Sequence, residues 1–160
     1  MMIRRYRPED LAQMARLFYD TVHSVNAADY SPAQLDAWAP RDMDADRWGR
    51  LFARHYTLVA LDGEKITGFG DIDETGYLDR LYVHRDYQRR GVASALCGRL
   101  ERAFAVEKIL THASITARPF FEKRGYRAVE SRWVERNGVG MRNYAMEKTM
   151  RGPESGTPRL

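Results

Sequence analysis

Cysteine is nearly absent from this chain. The single thiol, Cys97, excludes an internal disulfide and fits a reducing compartment, so the expected location is cytoplasmic. No apolar run approaches the ~20 residues that cross a bilayer. The opening Met1-Met2-Ile3-Arg4-Arg5-Tyr6-Arg7-Pro8 lacks the apolar core of a signal peptide, so no membrane partner is expected. His23, His55, His84 and His112 are scattered without metal-ligand spacing, which predicts no metal. Charge of one sign is scarce too: 26 basic against 22 acidic residues leave a net +4. That excess fits a site for a polyanionic cofactor, while dispersed arginines and no base-stacking pattern point away from nucleic acid. Repeats and linkers are missing. The 160 residues, 44% of them hydrophobic, fit one domain over 1–150, with a polar Gly/Pro-rich tail at 151–160 expected to be disordered.

Short strands and amphipathic helices fill the domain. Ile3 to Tyr6 reads as a strand, and Pro8 opens a helix carrying Leu11, Met14, Ala15, Phe18 and Val22 to about His23. Ser31-Pro32 opens a second helix with Leu35 and Trp38, and Asp44 to Arg54 a third. Tyr56 to Leu61 and Ile66 to Ile72 flank Asp62-Gly63, a hairpin signal. Tyr77 to Val83 is the next strand, followed by a helix from Val92 to about Val106. Cys97 lies on that helix's apolar stripe with Val92, Leu96, Leu100 and Phe104, so it reads as packing rather than a nucleophile. Ile109 to Ser114 is a strand and Thr116 to Arg124 a helix. A final hairpin, Tyr126 to Glu135 and Met141 to Thr149, turns at Asn137-Gly138. Hairpins combined with one strand–helix–strand crossover predict an α+β fold with a mixed, mostly antiparallel sheet flanked by helices.

The densest chemistry lies in Leu81-Tyr82-Val83-His84-Arg85-Asp86-Tyr87-Gln88-Arg89-Arg90-Gly91-Val92-Ala93-Ser94. A strand ends in a basic turn that runs straight into a helix. Free N–H groups and the helix dipole converge there, Arg89 and Arg90 add charge, and Gly91 permits close backbone approach, so a diphosphate fits. The missing Lys-Ser/Thr excludes a P-loop, and the missing second and third glycines exclude a dinucleotide fingerprint. Gln88-Arg89-Arg90-Gly91-Val92-Ala93 resembles Q/R-x-x-G-x-G/A, the acetyl-CoA pyrophosphate loop of the GNAT N-acetyltransferase superfamily. Downstream, Ser114 to Tyr126 resembles that family's N-x-x-A-x-x-L/F-Y-x-x-x-G-F/Y segment, with Ala117, Phe120, Gly125 and Tyr126 in register. The likeness extends from about Ile3 to Met150 and, within the family, points to a bacterial YafP-like subgroup.

This resemblance implies the acyl-CoA N-acyltransferase fold, with a splayed fourth and fifth strand that admit pantetheine. The backbones of Leu81 and Val83 around Tyr82 would pair with it, N–H groups from Arg89 to Ser94 (Val92 and Ala93 included) would hold the diphosphate, and Phe120 and Phe121 would flank the thiol. Acetyl-CoA is the implied cosubstrate, and an amine is the acceptor. Two departures stand out. Ser114 replaces a frequent asparagine, and Phe121 replaces a tyrosine that protonates the leaving thiolate; Tyr126 and Tyr144 are possible substitutes. Counting back from the loop puts Tyr77 at the family's usual base position, and Asp79 shares its face by alternation. Asp79 reads equally as base or as salt-bridged structural carboxylate, with Arg80 a poor partner because strand neighbours point oppositely. Asp71 and Asp73 are weaker candidates. Acceptor specificity would come from the first two helices, through Tyr19, His23, Tyr30 and Trp38, which suit a small cationic or aromatic acceptor. A small-molecule amine, a macromolecular amine and a non-catalytic acetyl-CoA-binding module stay open, as does a homodimer.

Overall fold

The computed structural model describes residues 1–150; the expectation of a disordered tail falls outside the described residues. Strand β1 (Met2–Arg5) leads into helices α1 (Leu11–Ser24), α2 (Pro32–Trp38) and α3 (Ala45–Arg54). Strands β2 (Tyr56–Asp62), β3 (Lys65–Ile72) and β4 (Tyr77–Val83) precede helix α4 (Val92–Glu101). Strand β5 (Lys108–Ser114), helix α5 (Arg118–Lys123) and strands β6 (Arg127–Arg136) and β7 (Val139–Thr149) complete the domain. The seven strands form one sheet in the order β1-β2-β3-β4-β5-β7-β6, antiparallel except where β4 meets β5.

Local chemistry explains the boundaries. Ser31 caps α2 by accepting from the Gln34 N–H while Gln34 reaches back to the Ser31 N–H, and Asp44 caps α3 at Arg47 N–H. Asn137 and Gly138, both left-handed, make the two-residue turn between Arg136 and Val139. Helix α4 stops at Glu101, earlier than the expected Val106. The chain turns through Arg102 and Ala103, and Phe104 leaves the helical stripe to pack against Tyr56, 6.3 Å between centroids.

Both faces of the sheet are covered, so β2 reads as a continuous apolar run rather than an alternating one. Val59 and Leu61 join Met14, Phe18, Val22, Phe52 and Phe69 under α1–α3. Leu58 and Ala60 join Ile72, Leu96, Leu100 and Ile109 under α4. Helix α4 lies directly on β3. A Cβ at Gly70 would come within 2.8 Å of Leu100 Cδ1 and of the Arg80 carbonyl oxygen. That close approach fixes where the N-terminus of α4 points.

Candidate active site

β4 and β5 pair only at Tyr77↔Leu110 and Leu78↔Thr111, then separate. The cause lies on the other edge of β4. Asp71 pairs with Arg80 and Ile72 with Leu78, which leaves Asp79 as the extra residue of a β-bulge. A bulge bends its strand and breaks alternation. The His84 N–H bonds the Thr67 carbonyl on β3, so alternation turns the N–H groups of Leu81 and Val83 toward the gap.

Below the gap lies a cavity of about 390 Å³. Its floor is the α4 loop. Arg89 (φ 61) and Gly91 (φ 81) are both left-handed, and the first α4 backbone bond is Ala95 N–H to Gly91 carbonyl. The N–H groups of Val92, Ala93 and Ser94 are therefore free to meet an anion. Gln88 braces the loop by donating Nε2–H to the Val83 carbonyl at 2.7 Å. Ala117, the residue before α5, and Phe120 and Phe121 on it wall the cavity together with Ser114. Ser114 Oγ accepts from the Ala117 N–H at 3.0 Å, which leaves its own proton for a ligand. Arg90 does not line this cavity; its guanidinium stacks over Tyr87 at 5.0 Å.

On the other side lies a cavity of about 670 Å³. Tyr77, Asp79, Tyr30 and Trp38, named from the sequence as site candidates, line it. Tyr30 works as a clamp: its hydroxyl donates to the Arg142 carbonyl at 2.7 Å and accepts from the Ile115 N–H at 2.9 Å. Tyr19 and His23 line neither cavity. They stack on each other at 4.1 Å, and His23 Nε2 meets the Ala39 carbonyl at 2.9 Å, so both brace α1 against α2. Sequence reasoning missed Trp48 and Arg47 on α3, His112 on β5, and Arg132 and Arg136 on β6. The period-2 spacing of Arg132, Val134 and Arg136 was visible; which face they present depends on how the hairpin docks. The two cavities meet at Leu81, Tyr82, Ser114, Ala117 and Phe121.

A cleft between splayed strands matches the fold that the motifs implied, and the loop before α4 borders it. A model of the acetyltransferase (GNAT) domain matches residues 26–148. The chain belongs to the GNAT family of acetyltransferases. It is 37% identical over 146 residues to the uncharacterized N-acetyltransferase YafP of Escherichia coli K12, covering 91% of this chain and 94% of that protein. The GCN5-related N-acetyltransferase of Rhodopseudomonas palustris shares the fold at TM-score 0.90 and 33% identity, over 93% of this chain and 95% of that one. YncA of Salmonella typhimurium, solved with acetyl-CoA, superposes at TM-score 0.71 with 17% identity, over 95% of each chain.

A charge network lies beside the bulge. Asp71 is fully buried, with His55 Nδ1 at 2.8 Å and Arg80 Nη1 at 2.6 Å. Asp71 Oδ1 has no partner among the described residues. Burial pushes the Asp71 carboxyl up against the pull of His55 and Arg80, while its hydrogen bond raises His55. Asp79 Oδ2 lies 3.4 Å from Arg80 Nη1, contrary to the alternation argument, because the bulge brings these neighbours to one side. Ligand atoms of His55, Asp71 and Asp79 fall within 4.8 Å of one another, and a metal there would have to displace the Arg80 guanidinium.

Tyr77 and His112 form a second titratable pair, Oη to Nδ1 at 3.0 Å. Burial, then Arg132, holds His112 below the ordinary histidine value, which favours its neutral imidazole. Neither candidate replacement for Phe121 reaches the cleft. Tyr126 donates to Glu101 Oε2 at 2.7 Å inside the α4 core, and Tyr144 lies under the Arg118 guanidinium, off both cavities. Cys97 is buried in the same core, its thiol pushed up to about 12 by burial and the Glu101 charge, which fits packing rather than nucleophilic chemistry.

Proposed function

We propose that this enzyme transfers the acetyl group of acetyl-CoA directly to the amino nitrogen of a small molecule. The supporting observation is the shared wall. Donor and acceptor cavities share Leu81, Tyr82, Ser114, Ala117 and Phe121, so both reactants reach one point without a covalent enzyme intermediate. A small acceptor is favoured by enclosure: Asn137 Nδ2–H bonds the Ala37 carbonyl at 2.8 Å and Gln34 Nε2–H the Gly140 carbonyl at 3.0 Å, tying the β6–β7 tip across α2.

The amine nitrogen attacks the thioester carbon, and a β4 N–H facing the gap stabilises the oxygen that gains charge. The nitrogen must shed a proton. Tyr77 accepts it while passing its own phenolic proton to neutral His112 Nδ1. Asp79, held by Arg80, is the second acceptor for that proton. The C–S bond then breaks. With phenylalanine at 121, coenzyme A departs as a thiolate, tolerable for a thiol of pKa ~8.5.

Thiol release from acetyl-CoA across a panel of small amines tests the reading, and an amine-dependent rate is expected. His112→Gln should abolish the acid limb of the kcat/KM profile below pH 6.5, with Tyr77→Phe slowing turnover similarly. An acid limb that survives His112→Gln and disappears in Asp79→Asn gives the role to Asp79. Acetyl-CoA binding without release in any acceptor mixture would leave a binding module.

A further inference from the structure

Two guanidinium groups lining the acceptor cavity have no carboxylate partner among the described residues. Along β6, Arg132, Val134, Glu135 and Arg136 line the acceptor cavity, Arg136 from its exposed rim, while Ser131 and Trp133 do not. Outward orientation is visible at Trp133, 65% exposed with the Arg142 guanidinium over its ring. Inward orientation is visible at Arg132, whose Nη1 reaches Oδ1 of buried Asn143 at 3.4 Å. Arg80 is answered by Asp71 and Asp79. Among the described residues, neither Arg132 nor Arg136 joins an ion pair. Their fields also reach the proton path, since both lower the proton affinity of His112 and Tyr77. The α2 clamp on Asn137 holds Arg136 over the cavity.

Aromatic groups line the other walls: Trp38 and Trp48 face the same space. Of the carboxylates on this wall, Asp79 is held by Arg80 and Glu135 lies beside Arg136, while two carboxylates from the first helical segments are turned elsewhere. Asp29 accepts from Thr116 Oγ1 at 2.7 Å, and the Asp36 side chain is 77% exposed beside His23.

We infer that the acceptor is a small amine with a carboxylate or phosphonate close to its nitrogen, held by Arg132 and Arg136, and an apolar or aromatic body against Trp38 and Trp48. This inference rests on the acetyl-transfer reading above. Guanidinium is suited to both anions, because its fork offers parallel N–H donors. The same charges disfavour the ammonium form, so they ease the deprotonation that precedes attack. The neutral amide product keeps its anion.

Matched acceptors test it. Thiol release is measured with L-phenylalanine against phenethylamine, L-leucine against 3-methylbutylamine, and 1-amino-2-phenylethylphosphonate as the phosphonate arm. An anionic member is expected to exceed its uncharged-tail partner in kcat/KM by about tenfold, the effect of one good charge-assisted contact. Arg132→Gln with Arg136→Gln should collapse that ratio toward one, mainly through KM of the anionic member. Equal use of both members in every pair, or a ratio kept by the double variant, overturns the inference. A second measurement needs no turnover: calorimetric binding of N-acetyl-L-phenylalanine and N-phenethylacetamide to the coenzyme A-loaded protein. Tighter binding of the acid, lost in the double variant, upholds the anion clamp even if no acceptor is acetylated, and missing turnover then counts against acetyl transfer alone. Equal binding of the two overturns the clamp.

Discussion

Gly91 separates backbone strain from ligand electrostatics. It caps α4 at φ +81, and a Cβ there meets no protein atom within 4 Å. Substitution therefore acts through the left-handed backbone and through whatever sits in the loop. Asn and Asp tolerate that conformation better than other side chains and are nearly isosteric, so Gly91→Asn and Gly91→Asp share the strain. They differ by one negative charge. A carboxylate ~5 Å from one phosphate charge, at an effective dielectric of ~20, is repelled by ~3 kcal/mol. That corresponds to about a hundredfold in Kd. Calorimetric titration with acetyl-CoA at low salt should find Gly91→Asn within a few fold of the parent. Gly91→Asp should be weaker by tens to a hundredfold, the gap closing as salt shortens the screening length. Equal affinities for the two variants at low salt would refute the loop as the diphosphate site.

Three further outcomes follow from the packing. Glu101 is buried with Arg124 at 2.8 Å, Tyr126 at 2.7 Å and Lys148 at 3.4 Å. Burial opposes its charge, but hydrogen bonds from Arg124 and Tyr126 hold its carboxyl below the ordinary value. Its stabilisation is present above the unfolded pKa and lost as pH falls through the folded one. Glu101→Gln should lower stability at pH 7 by about 3 kcal/mol and flatten the loss below pH 4.5, read by urea unfolding; an unchanged acid limb contradicts this. Asp71→Asn should return the His55 titration toward the ordinary histidine value in an NMR titration, and an unmoved His55 contradicts the ion pair. Gly70→Ala forces a Cβ against the Arg80 carbonyl and should destabilise the fold by about 1–3 kcal/mol in thermal unfolding; an unshifted melting temperature contradicts the close helix approach.

The geometry of the proposed pyrophosphate loop was legible because strand, turn and helix are adjacent in sequence. The left-handed glycine needs no distant residue to place it. The bulge was not legible. Nothing in Tyr77-Leu78-Asp79-Arg80 marks the skipped pairing with β3, so alternation misjudged Arg80 as a partner for Asp79. His55, buried Asp71 and Arg80 come from three strands or their edges, and their ion pairs form only across the sheet. The acceptor wall was read from the first two helices: Tyr30 and Trp38 line the cavity, Tyr19 and His23 do not, and α3 and the β6 hairpin supply residues that only docking brings in.

Thermal unfolding with saturating acetyl-CoA, beside adenosine diphosphate, tests the two-sided cleft most directly. A ligand present at ~100 times its Kd adds about 2.7 kcal/mol to the folded state. A rise with acetyl-CoA that exceeds the adenosine diphosphate effect is predicted, since the proposed site would add pantetheine contacts at Ser114, Phe120 and Phe121. No shift at millimolar acetyl-CoA would contradict the account.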